Sequence, residues 1–295
     1  MGTSDWRVEA TRDKERIRAF LASDRLWTAY ALGDLEPGLF EQCDWVAVAD
    51  GARDVALVLL FKGLDTPGLW PFGDDDGVRL ALAEAVAPVA PRVSIRPAQR
   101  AVVEAVYALD TLDLMTRMVV DAASFSPVAW SPLVPPPRLR EEPEGSEGGA
   151  EGLPPPRRLT GGDASALNAL YASGETPDAF APSQIDQGAF YAVEVAGRVV
   201  AVAGTHLLAP GEGVAAVGNV FTHRDWRGRR LAQVCTSAVV AECLRRGAAD
   251  VVLNVKSDNA PAIAAYRRLG FRAYCQFLEA GATRSPWLAA ASPTQ

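Results

Sequence analysis

At 295 residues the chain is long enough for two domains, each able to bury a core of its own. A formal net charge of −7 argues against general nucleic-acid binding, and 2 histidines are too few for a histidine-rich metal site. No apolar run nears the roughly 20 residues of a membrane span, no signal segment is read at the start, and Cys43, Cys235, Cys243 and Cys275 form no C-x-x-C pair, so the expectation is a soluble cytoplasmic protein without a metal.

In the first half, residues 13–21 read as a helix with Ile17, Phe20 and Leu21 on one face. A hairpin follows, with strands at 45–49 and 55–61 around a turn at Asp50-Gly51. Residues 71–77, P-F-G-D-D-D-G, precede a helix predicted from Val78, and a strand at 92–95 leads into a helix predicted over 99–109. Residues 127–156 are rich in proline, glutamate and glycine and lack the apolar content to offset their own ordering entropy.

The second half repeats the pattern. A helix at 164–172 precedes strands at 190–195 and 199–204 around a turn at Ala196-Gly197, then a strand from 214. A helix at 231–246, stopped by Gly247, is followed by a strand at 251–255 and a helix at 259–269. The hairpins V-A-V-A-D-G-A-R-D-V-A-L-V and V-E-V-A-G-R-V-V-A-V are alike, and an internal repeat of about 145 residues implies a duplicated α/β domain. The predicted division is 1–126, a linker at 127–156, and 157–295.

Residues 220–232 read V-F-T-H-R-D-W-R-G-R-R-L-A, a strand end, a turn and a helix start. A helix N-terminus carries amides without intrahelical partners and attracts phosphate, and Arg227, Arg229 and Arg230 add charge there. The same arginines would also suit a solvated face. At the matching point of the first half, Asp74, Asp75 and Asp76 already occupy the favourable dipole position and would repel phosphate.

With these residues in view, the second half, about 157–279, resembles the GNAT superfamily of N-acetyltransferases. V-F-T-H-R-D-W-R-G-R-R-L-A is similar to the family's pyrophosphate loop R/Q-x-x-G-x-G/A, and N-A-P-A-I-A-A-Y-R-R-L-G-F at 259–271 to its N-x-x-A-x-x-x-Y-x-x-x-G-F helix. The resemblance implies two GNAT-like domains, each a mixed, mostly antiparallel central sheet flanked by helices, the first degenerate. It implies acetyl-CoA or another acyl-CoA as cosubstrate, with the backbone of Val220, Phe221 and Thr222 along the pantetheine arm. The amides of Gly228, Arg229, Arg230, Leu231 and Ala232 would hold the pyrophosphate, and Arg230 stands where the family usually has glycine. Asn259 would contact the cofactor, unless it is only a helix cap. Tyr266 would protonate the leaving thiolate, unless it is only a core aromatic on an amphipathic helix, the reading that Tyr107 also admits at the matching place.

For the general base the candidates are His206, Glu194, Glu175 and a water chain; a structural histidine and a solvent-facing Glu194 are the bland readings. His223 reads as loop-shaping. The implied activity is acyl transfer to a primary amine on a small molecule or peptide by direct attack, without nucleic acid or membrane. A non-catalytic acyl-CoA-binding or sensing module is the alternative. Acceptor and oligomeric state are not legible in the residues.

Overall fold

The computed structural model describes residues 6–86, 88–130, 153–174 and 182–285. Most of the predicted linker, and Glu175, lie outside the described residues. The first half of the chain runs β1 (Trp6–Ala10), α1 (Lys14–Leu21), α2 (Ala29–Gly33), β2 (Cys43–Asp50), β3 (Arg53–Phe61), β4 (Gly68–Gly73), α3 (Asp75–Glu84), β5 (Arg92–Ile95), α4 (Arg100–Glu104) and β6 (Tyr107–Asp121). The second half repeats that order: β7 (Arg157–Arg158), α5 (Ala164–Tyr171), α6 (Pro182–Gln187), β8 (Tyr191–Val195), β9 (Arg198–Ala209), β10 (Val214–Thr222), α7 (Leu231–Arg245), β11 (Asp250–Lys256), α8 (Ala260–Arg268) and β12 (Arg272–Arg284). This element-by-element correspondence is what the repeat in the sequence implies.

The described residues fall into two compact units. Unit 1 takes those up to Arg117, with Val255–Asn259 and the chain from Ala273 on; unit 2 takes Met118–Asn254 and Ala260–Arg272. The division therefore departs from a cut at the linker. The last strand, β12, pairs antiparallel with β5, from Leu278↔Ile95 to Gly281↔Arg92, and so belongs to the sheet of unit 1.

In unit 1 the order is β1-β2-β3-β4-β5-β12-β6, the last through its residues up to Arg117; from β1 to β12 the pairs are antiparallel except for the parallel pair β4 and β5. Helix α1 starts at Asp13, whose carboxylate accepts from the Arg16 amide at 3.1 Å, a side-chain N-cap. Alternate residues of the strands, Val46, Val48, Val58 and Val93 among them, bury against Val78, Ala81 and Leu82 of α3. The helix predicted over 99–109 is shorter: α4 stops at Glu104 and Tyr107 opens β6. The apolar residues at 102, 103, 106 and 107 fit one helical face as well as a strand, and sheet burial decides between them. Tyr107 is fully buried, and its hydroxyl donates to the Pro88 carbonyl at 3.2 Å.

In unit 2 the order is β7-β8-β9-β10-β11, antiparallel except for the parallel pair β10 and β11. Phe190, Ala192, Val199 and Val202 pack with Leu167, Leu170 and Tyr171 of α5 and with Ile185 of α6. Helix α7 is buried on nearly every side, Thr236 and Ser237 included, and the Val128 amide donates to Ser237 Oγ at 2.9 Å. The chain leaving β6 thus packs on α7. It also presses on Gly270, whose φ of +91° ends α8; a Cβ there would overlap the Ser124 carbonyl.

Candidate active site

The candidate site of unit 2 lies where β10 parts from β11. Their parallel ladder runs from Val214↔Asp250 to Val217↔Leu253, while β10 continues to Thr222. Two irregularities in the β9–β10 ladder coincide with the parting. Ala216 faces Leu207 and Val217 faces Thr205, so His206 is an extra residue in β9. Gly218 faces Gly204 and Phe221 faces Val202, so β10 carries an extra residue too, and Asn219 absorbs it with a φ of +52°. Such bulges re-aim side chains and end regular pairing.

His206 is exposed, and its imidazole lies against Gly218, where any Cβ would overlap the ring. Of the sequence candidates for a base, it is the one on the strand beside the parting. Glu194 lies on β8, where its carboxylate accepts from Arg157 at 2.8 Å; Arg157 also holds Asp163 at 2.7 Å. This fixes Glu194 in an ion-pair cluster. His223 shapes the loop: its Nδ1 accepts from the Asp225 amide at 3.3 Å, at the start of a short 3-10 turn, Arg224–Trp226.

Past that turn, Gly228 and Arg230 have φ values of +78° and +61°, and α7 begins at Leu231. Arg230 is the N-cap residue and offers no side-chain cap. The amides of Leu231, Ala232 and Gln233 head the helix, where dipole and unpaired donors favour an anion. Arg229 is 8% exposed and its guanidinium lies over the Trp226 ring at 4.5 Å. Its Nη1 has no hydrogen-bond partner among the described residues, nor does the buried Thr222 Oγ1 at the end of β10. A buried cationic donor left open is costly unless an anion meets it. Arg227 Nε donates to the Thr222 carbonyl at 3.3 Å, which ties the loop to the strand end.

The corresponding point of unit 1 is closed. Asp74 caps α3, its Oδ1 accepting from the amides of Asp76 at 2.9 Å and Gly77 at 3.2 Å. Its own carboxylate fills the place an external phosphate would take.

On α8, Tyr266 is half-buried, with the Phe271 ring at 5.9 Å. Burial pushes its hydroxyl up to about 12, so it keeps its proton throughout the neutral range. Asn259 is grouped with unit 1, and its amide donates to the Lys256 carbonyl at 3.0 Å. Among the described residues no cluster of His, Cys, Asp and Glu is arranged to hold a metal, and no helix is long and apolar enough to cross a membrane.

Residues 165–271 match the sequence pattern of the acetyltransferase (GNAT) family. That stretch is a GNAT domain. Its family chemistry is acyl transfer from acyl-CoA. No curated protein matches the sequence. Solved structures share the fold. A GNAT-family protein from Novosphingobium aromaticivorans is 22% identical with a TM-score of 0.54, over 86% of this chain and 96% of that one. A GCN5-related N-acetyltransferase from Sphaerobacter thermophilus is 19% identical with a TM-score of 0.54, over 95% and 96%. A tandem GNAT protein from the clavulanic acid biosynthesis pathway is 15% identical with a TM-score of 0.55, over 99% and 100%. At these identities the likeness is one of fold, and with the tandem protein it extends over the whole of both chains.

The sequence does not announce the bulges, because Gly218-Asn219 inside an apolar run reads only as a weak strand position. Tyr171, whose hydroxyl donates to the Asn219 carbonyl at 2.7 Å, carries no signal of that role in the sequence, being one apolar-face residue among several on its helix.

Proposed function

We propose that the GNAT domain moves an acetyl or other acyl group from the CoA thioester to a primary amine by direct attack. The observation that carries the reading is Arg229, a buried guanidinium with an open donor at an uncapped helix start. The amides at 228–232 with Arg227 and Arg229 are suited to the pyrophosphate, and Arg230 adds charge at the same turn. The backbone of Val220, Phe221 and Thr222, past the end of the parallel ladder, is suited to an extended amide-bearing arm. Bound there, the thioester supplies an activated acyl carbon.

His206 takes the proton of the attacking amine as its nitrogen bonds to that carbon, and the C–S bond breaks. Tyr266, protonated at neutral pH, gives its proton to the departing thiolate. Proximity of amine and acyl carbon supplies much of the rate. Glu194 is the less favoured base because Arg157 already holds its carboxylate.

The test is CoA release measured over a panel of amines, wild type against Tyr266→Phe. Turnover on at least one amine, reduced on the order of 100-fold in the variant, supports the reading. Tight acetyl-CoA binding with no turnover on any amine leaves the non-catalytic acyl-CoA-binding module in its place.

A further inference from the structure

Asn219 combines a left-handed backbone with burial, 5% exposed, at the residue where β10 leaves regular pairing with β9. Asparagine tolerates that φ better than most side chains, though at a cost glycine does not carry, and a bulge removes its residue from the ladder. Its carbonyl is nevertheless met: the Tyr171 hydroxyl, from the last residue of α5, donates to it at 2.7 Å. Tyr171 is 2% exposed, and its ring packs on Phe221 at 5.5 Å, two residues beyond the bulge. Phe221 in turn covers Gly174, where a Cβ would press into its ring. One side chain thus grips both the bulge and the strand beyond it.

We infer that Tyr171 is a positioning residue for the acyl end of the cofactor: its hydroxyl holds the Asn219 carbonyl and so sets the path of residues 220–222. The inference rests on the acyl-CoA reading of unit 2. Without the hydroxyl, a buried carbonyl in a strained bulge loses its donor, and β10 can relax toward a regular ladder. That relaxation shifts the amides of residues 220–222 and leaves the helix start of α7 in place. The effect therefore falls on the pantetheine and acyl portion, not on the phosphates.

The test is calorimetric titration of the full chain with acetyl-CoA and, separately, with ADP, which reaches only the α7 end. Tyr171→Phe removes one oxygen and keeps the ring. Acetyl-CoA binding weakens about tenfold in this variant, while ADP binding stays within about twofold of wild type. Asn219→Gly keeps the carbonyl and the left-handed backbone, and both affinities stay within about twofold. Equal loss of both ligands in Tyr171→Phe marks a residue that only supports the fold and overturns the inference. So does a loss in Asn219→Gly as large as that in Tyr171→Phe. Wild type binding acetyl-CoA with Tyr171→Phe unchanged removes the inference alone. Wild type failing to bind acetyl-CoA removes the acyl-CoA reading with it.

Discussion

The guanidinium of Arg229 lies over the indole of Trp226 at 4.5 Å, while its Nη1 meets no acceptor among the described residues. One face of the cation is thus held by the turn itself and one donor is kept for something else. The stacking fixes the fork before any ligand arrives, which lowers the ordering cost of binding.

Replacing Arg229 with Met therefore separates binding from stability. Acetyl-CoA affinity falls about 30- to 100-fold, the equivalent of roughly 2–3 kcal/mol for a buried charge-assisted hydrogen bond. The unliganded protein melts at the same temperature or higher, because an apolar side chain of similar length replaces a buried charge. Calorimetric titration and a thermal melt of the same preparation check both halves.

Arg230 carries a strain that the family's usual glycine does not. At a φ of +61°, Arg230→Gly stabilises the unliganded protein by about 0.5–1 kcal/mol, read as a higher urea midpoint at unchanged slope. A lower midpoint means that the arginine side chain makes a compensating contribution.

Asp34, at the C-cap of α2, has its carboxyl pushed up to about 7 from 3.8 by burial alone. The neutral acid suits the fold, so its contribution is complete below about pH 4 and is lost as pH rises toward 7. Wild type thus loses roughly 1–2 kcal/mol, after discounting for solvent, across that window relative to Asp34→Asn. Urea unfolding at pH 4.5 and pH 8 gives the comparison, and parallel stabilities of the two proteins contradict it.

Much of this was legible because local chemistry is loud at turns and helix starts. Gly51 and Gly197 take the left-handed backbone that the Asp50-Gly51 and Ala196-Gly197 turns demand, and Asp74 caps α3. What was not legible depends on partners distant in sequence. β12 and the front of β6 are mixed polar strands without clean alternation, so neither stood out. Arg117 is fully buried among Trp27, Tyr30 and Phe277 and donates to the Leu26 and Trp27 carbonyls; an arginine between Thr116 and Met118 carries no sign of that. His206 was legible as a candidate, but the bulge that sets its place was not.

Gly270 joins the helix bearing Tyr266 to the chain leaving β6. Gly270→Ala forces a Cβ into the Ser124 carbonyl at a φ that disfavours it, and unit 2 loses roughly 2–4 kcal/mol. The measurement is the denaturation midpoint; a change below about 1 kcal/mol means that the 122–126 segment yields without cost.

Hydrogen exchange with and without acetyl-CoA tests the central claim most directly, because it reads both units in one sample. Slower exchange at residues 220–222 and 228–233, with no change at residues 74–78, is the predicted result. Protection at 74–78, or none at 228–233 with saturating acetyl-CoA, contradicts the assignment of the cofactor to the Arg229 turn.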